Sequence, residues 1–108
     1  ISGLPTDKYM FVGFLSKKEG KRKEVLKNLK SMSELMKFSA VFYESPNRLD
    51  KILTDMVEIF GEDTQGCLSL DLTKISEKVF RGSLKEIMEK ISNNKIKGEA
   101  TLVVSLVA

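Results

Sequence analysis

Residues 9–15 read YMFVGFL, an aromatic and β-branched run that suits a half-buried strand, with Gly13 as a point of close backbone approach. Gly3, Pro5 and Asp7 mark a turn before it, and Gly20 separates it from an amphipathic segment. In that segment Val25, Leu29, Met32 and Met36 recur at helical spacing, with lysines on the other face. Residues 39–43 predict a short buried strand. Ser45 is a natural N-cap and Pro46 a first-turn residue for the next helix, whose stripe is Leu49, Ile52, Leu53, Met56, Val57 and Phe60. Gly61 would end it as a left-handed cap. The period then changes to two: Leu68, Leu70 and Leu72 alternate with Ser69, Asp71 and Thr73. EKVFRGS (residues 77–83) predicts a partner strand. Ser83 and Glu86 form a capping-box pattern before a helical stripe of Leu84, Ile87, Met88 and Ile91, closed by Asn93, Asn94 and Gly98. The last segment, ATLVVSLVA, is almost wholly apolar, as for a strand covered on both faces.

The order βαβαββαβ predicts an α/β fold: one mixed β-sheet of about five strands flanked by helices. With 108 residues, the chain fits a single domain long enough to bury a core. Ile1, in place of an initiator methionine, and the loop-like SGLPTD point to a piece of a longer protein.

Composition narrows the chemistry. The chain has no histidine, which excludes His-based triads and the usual zinc sites. No metal site, P-loop or dinucleotide fingerprint is expected. The single cysteine, Cys67, lies in an apolar alternation and reads as a buried structural thiol. No apolar run approaches the ~20 residues of a membrane-spanning helix. A lone cysteine and no secretion-type leader in this stretch lead to an expected reducing compartment, the cytoplasm or, in a eukaryote, an organelle. Net charge is +3, but residues 17–30 carry seven basic against two acidic residues. That stretch, with Lys17, Lys18, Lys21, Arg22 and Lys23, is either a solvated helix face or a phosphate-facing patch.

Two polar clusters fall at strand junctions, where α/β sheets bind ligands. One is Glu44, Ser45 and Arg48; the other is Asp71, Thr73, Lys74, Glu77 and Arg81. The ordinary reading of Ser45 is a cap, of Glu44 and Arg48 a surface ion pair worth ~0–1 kcal/mol, and of Lys74 and Glu77 a solvated turn.

The motifs SGLPTDKYMFVGFL, KKEGKRK, FYESPNRL, LTK, FRGSL and KGEATLVV occur in this order along the chain. Together they resemble the C-terminal half of the ribosomal RNA small subunit methyltransferase I family, within the tetrapyrrole (corrin/porphyrin) methylase superfamily. The resemblance implies a two-domain enzyme that moves a methyl group from S-adenosylmethionine to a cytidine ribose 2′-hydroxyl of small-subunit rRNA. In the family the cofactor lies between the domains, and its glycine-rich loop belongs to the N-terminal half. Residues 1–108 would then be the second domain, inactive alone, with its own N-terminal domain and a second copy as partners.

By the same resemblance, Ser2, Gly3, Leu4 and Pro5 match the interdomain segment near the cofactor, and Tyr43 and Glu44 part of the cleft wall. Arg48 and Arg81 would contact RNA, as would the lysine patch. A ribose hydroxyl needs placement and a proton acceptor to react at neutral pH. Glu44, Glu77 or Lys74 would take that proton. The chain departs from the family pattern at Ser16 (proline in GFLP), Asn47 (histidine in ESPHR), Leu70 and Asp71 (arginine and glutamate in RELTK) and Ser76 (often histidine). The leucine removes a phosphate or carboxylate partner. Two other readings stand beside this one: a corrin or porphyrin methylase domain, and a non-catalytic RNA-binding or dimerisation module.

Overall fold

The computed structural model describes residues 8–73, 76–92 and 98–107, except for the side chains of residues 71–73, 76 and 77. The elements are β1 (Tyr9–Phe14), α1 (Glu19–Ser33), β2 (Phe38–Glu44), α2 (Pro46–Phe60), β3 (Gln65–Thr73), β4 (Ser76–Ser83), α3 (Leu84–Ser92) and β5 (Glu99–Leu106). They follow the predicted order. The five strands form one mixed sheet in the order β1-β2-β5-β3-β4, with β1 parallel to β2 and the other pairs antiparallel.

Strand alternation sorts the residues onto two faces. On one face lie Phe38, Ala40 and Phe42 of β2, Leu68 and Leu70 of β3, and Ala100, Leu102 and Val104 of β5, all buried. They join Leu26 and Leu29 of α1, Leu49, Ile52, Leu53 and Met56 of α2, and Leu84, Ile87 and Ile91 of α3 in a single core. Helix α2 packs against both α1 and α3, so the three helices form one layer on this face. A Cβ placed on Gly66 would meet Leu84 and Ile87 at 3.3–3.4 Å, which shows how closely α3 lies on β3. The prediction that β5 is covered on both faces therefore needs correction. Its apolar run reflects burial of residues 100, 102, 104 and 106 under helices, while Thr101 and Val103 on the other face stay partly exposed.

The register of β1 shifts between Phe11 and Gly13. This bulge uses Gly13 at φ +79°, a left-handed value that a side chain resists. Close approach is not the reason for the glycine, since a Cβ there would meet nothing nearer than 3.7 Å. The extra residue keeps Met10 and Val12 against the core yet pairs Phe14 with Tyr43 on the other face.

Helix α1 corrects the sequence pattern in phase. Its buried residues are Arg22, Leu26, Leu29 and Ser33, whereas Val25 and Met36 are exposed and Met36 lies beyond the helix. Two polar residues in the true stripe disguised it. Gly20 lies inside α1 rather than before it. Helix α2 shows the same effect: Asp55 and Ile59 are buried, while Val57 and Phe60 are only partly so. At its end Gly61 has positive φ (107°) but ψ 146°, so it leaves the helix extended rather than as a left-handed cap. The capping box of α3 forms as read. Ser83 N–H donates to Glu86 Oε1 (3.0 Å) and Glu86 N–H to Ser83 Oγ (3.1 Å). These bonds hold the Glu86 carboxyl below its ordinary value. Cys67 is buried, as expected. Asn93 and Asn94 lie outside the described residues.

Candidate functional site

Because β1 and β2 are parallel, their carboxyl ends emerge side by side. The β1–α1 connection and the β2–α2 junction therefore meet at one end of the sheet. The antiparallel ladders bring more of the chain there. Glu44 pairs with Ala100, Ala100 with Leu70, and Leu70 with Lys78. The backbone of Asp71 and Glu77, from the second polar cluster, thus shares a sheet end with Glu44, two and three strand spacings away (about 10 and 14 Å).

Glu44 is the last residue of β2, and alternation turns it toward the helix layer, where it is 4% exposed. Its Oε1 accepts from Ser45 N–H (2.9 Å), from the Ser45 hydroxyl (3.4 Å) and from Arg48 Nη1 (3.3 Å). Its Oε2 is buried without a partner. A carboxylate oxygen that has lost water and gained no donor is costly, and so marks a place for one. Arg48, about one-fifth exposed, also donates from Nη2 to the Ser16 carbonyl (3.1 Å). The pair is therefore not the surface ion pair of the ordinary reading. Its carboxylate is inside, and its guanidinium ties the β1–α1 connection to α2. Ser45 sits at the N-cap position of α2, with Pro46 behind it, but its hydroxyl turns back to Glu44 instead of capping.

Arg22 plays a comparable part from the other side. Its Nε and Asp55 Oδ2 lie 2.5 Å apart with both side chains buried, and its Nη1 donates to the Lys17 carbonyl (3.3 Å). Arg22 is consequently withdrawn from the expected phosphate-facing set by its own pairing. The substituted Ser16 has a local use, its hydroxyl accepting from Lys18 N–H (3.1 Å). Lys17, Lys18 and Lys21 are exposed at this end of α1. Lys23 bridges Glu58 (3.0 Å) and Glu19 (3.2 Å), and those contacts, Glu58 first, raise its ammonium above the ordinary 10.5. Between α1 and α2 an open depression of about 620 Å³ is lined by Lys17, Arg22, Arg48, Lys51 and Asp55, among others.

Tyr43 does not share a wall with Glu44. Adjacent strand residues face opposite ways, and Tyr43 lies on the side away from the helices, against Phe11 and Phe14. Arg81 is exposed on the edge strand β4, opposite Cys67 and near mid-strand rather than at the sheet end. Ser2, Gly3, Leu4, Pro5 and Lys74 lie outside the described residues, as does the side chain of Glu77. Asp55, the partner of Arg22, was missed by sequence reasoning, because a contact 33 residues away leaves no local signal. Among the described residues no group of three or more His, Cys, Asp or Glu side chains could hold a metal ion. No helix among them is long and apolar enough to cross a membrane.

No protein-family model matches the chain. Curated relatives do. The ribosomal RNA small subunit methyltransferase I of Streptococcus pyogenes serotype M18 is 38% identical over 96% of this chain and 34% of its own length. Proteins of the same name from Thermotoga maritima (36% identical) and Rickettsia prowazekii (35%) each match 97% of this chain, and 45% and 36% of their own lengths. Two solved structures share the fold. A cobalt-precorrin-4 methyltransferase of cobalamin biosynthesis gives a TM-score of 0.63 at 16% identity, over 90% of this chain and 40% of that one. The methyltransferase CobJ gives 0.65 at 11% identity, over 99% and 49%. At such identities the likeness concerns the fold alone. The chain spans between a third and a half of the curated relatives it matches. By sequence, then, it is a homologue of ribosomal RNA small subunit methyltransferase I and corresponds to part of that protein.

Proposed function

We propose that this chain is the C-terminal domain of a two-domain, S-adenosylmethionine-dependent methyltransferase that modifies a cytidine ribose 2′-hydroxyl of small-subunit rRNA. The observation that carries this reading is 35–38% identity to proteins of that name over nearly the whole chain. The short span of the match supports a partner domain beside it, and the family resemblance supports an assembly of two copies. Such an enzyme works in the cytoplasm or, in a eukaryote, in an organelle with its own ribosomes.

The residues at the sheet end suit such a cofactor and substrate. S-adenosylmethionine offers amino and hydroxyl hydrogens, and the unpartnered Oε2 of Glu44 is a buried acceptor for a donor of that kind. When bound, the cofactor would supply an electrophilic methyl group. Glu44 contributes either an anchor for a cofactor donor or the acceptor of the ribose hydroxyl proton. Glu77 and Lys74 remain candidates for the second task. Arg48 positions Glu44 and fixes the β1–α1 connection beside it. Lys17, Lys18 and Lys21 are assigned to the RNA backbone, Arg22 and Lys23 being engaged by carboxylates, and Arg81 keeps an RNA role only as the resemblance implies it. Ser2 to Pro5 and Tyr43 keep a cofactor-side role only as the resemblance implies it.

The test is methyl transfer from labelled S-adenosylmethionine. The full-length gene product should label a cytidine 2′-hydroxyl of small-subunit rRNA, and residues 1–108 alone should label nothing. Labelling of a tetrapyrrole but not of RNA would replace this reading by the second one.

A further inference from the structure

The open depression between α1 and α2 touches the Glu44 site through one shared residue. Arg48 forms part of its wall and also pairs with Glu44. Its volume, about 620 Å³, lies within the range of small-ligand sites and is ample for one nucleotide. The charges around it divide into spent and unspent. Asp55 is neutralised by Arg22, and Glu19 by Lys23. The contacts of Arg48 with Glu44 and the Ser16 carbonyl leave three of its five N–H groups over. Lys17, Lys51 and Asp50 are exposed, and their side chains make no ion pair or hydrogen bond among the described residues. The wall therefore carries three cations with donors to spare and one free carboxylate. Another depression, of about 410 Å³ at the opposite end of the sheet, has the reverse balance. There Glu34 and Asp63 outnumber Lys30, which is spent on the Ile59 carbonyl (3.0 Å).

We propose that the depression between α1 and α2 holds one nucleotide of the RNA strand, a neighbour of the reacting cytidine. Arg48, Lys17 and Lys51 take its phosphate: the guanidinium offers a planar fork to the phosphate oxygens, and the two ammonium groups add charge. Asp50 accepts the hydrogen bond of its ribose 2′-hydroxyl, the group that tells RNA from DNA. The mixed charge favours a nucleotide over a free phosphate. Asp50 would repel a bare anion, whereas a sugar attached to the phosphate brings that carboxylate a donor. Arg48 then serves both places, so the position of the strand and the position of Glu44 are set through one planar group. This subsite rests on the RNA substrate proposed above.

Its test is fluorescence anisotropy of the full-length protein with a short single-stranded RNA and with DNA of the same sequence, over a range of salt. Lys17→Ala combined with Lys51→Ala should weaken RNA binding about tenfold at low salt and lower the log–log salt slope by about 1. Lys37→Ala, at an exposed lysine just before β2 and so at the other end of the sheet, should change neither. Asp50→Ala should cut the preference for RNA over DNA about fivefold, the worth of one hydrogen bond. Inorganic phosphate should displace the RNA no better than chloride of equal ionic strength; stronger displacement would mark a free-anion site instead. If the paired lysine variant behaves like Lys37→Ala, or if Asp50→Ala leaves the RNA-to-DNA ratio unchanged, the depression is not a nucleotide site and the RNA reading stands on wild-type binding alone. A wild-type protein that binds no RNA would refute both.

Discussion

Two arginine–carboxylate pairs hold the same connection in this molecule, and they are built differently. Arg22 and Asp55 are both buried; they join α1 to α2, and Arg22 also binds the Lys17 carbonyl. Arg48 and Glu44 join a helix to the strand before it, and Arg48 binds the neighbouring Ser16 carbonyl. The first is a closed bracket between two helices. The second stands at the sheet end with a buried oxygen left over. A buried pair of the first kind fixes geometry, and its loss is felt in folding. A pair with an unused acceptor can hold something else, and its loss should be felt in binding or turnover.

The largest effect should come from breaking the closed pair. Asp55→Ala leaves Arg22 buried without its counter-charge and should cost about 3–5 kcal/mol in urea unfolding. Replacing both residues by leucine should restore much of that, and a single-variant loss below about 1 kcal/mol would show that the site is wetter than its burial indicates. Glu44→Gln keeps volume and an acceptor for Ser45 N–H, so it should cost only about 1–2 kcal/mol of stability. The methyl transfer proposed for the full-length protein should nevertheless fall by about 100-fold or more. If stability falls and turnover does not, the two pairs are alike and the open oxygen means nothing.

Smaller effects sharpen the contrast at the surface. Ser83→Ala removes the cap of α3 and should cost about 1 kcal/mol, read as a lower unfolding midpoint without change in turnover. The Glu86 half of that box titrates. Its carboxyl is lowered in the folded state, so its contribution is present above the ordinary value of 4.5 and is lost as pH falls through the lower folded value. Acid unfolding of Glu86→Gln should lack that component. The smallest effect belongs to Lys23, whose raised ammonium stabilises below 10.5 and loses its contribution as pH climbs through the folded value. Lys23→Met should flatten the alkaline limb and change little at neutral pH.

Most of the fold was legible because long segments carried an undiluted period. The stripe of α2, the leucine alternation of β3 and the capping box at Ser83 each repeat a single physical constraint over several residues. The phase of α1 was not, since Arg22 and Ser33 occupy its buried stripe and a reading of apolar positions passes over them. At the candidate site, Glu44 and Arg48 were legible as a pair four residues apart. Their burial was not, because nothing local says that the end of β2 turns toward the helices.

The sequence by itself determined the elements, their order and the presence of polar residues at strand ends, since these follow from periodicity and turn chemistry within a few residues. Only the tertiary structure decided three other things. All the helices lie on one face of the sheet, Arg22 meets Asp55 instead of solvent, and Phe14 stands outside the core with Tyr43. Each depends on pairing between residues far apart in the chain or on a one-residue change of register. Such contacts arise from the packing of whole elements, and no local pattern carries them.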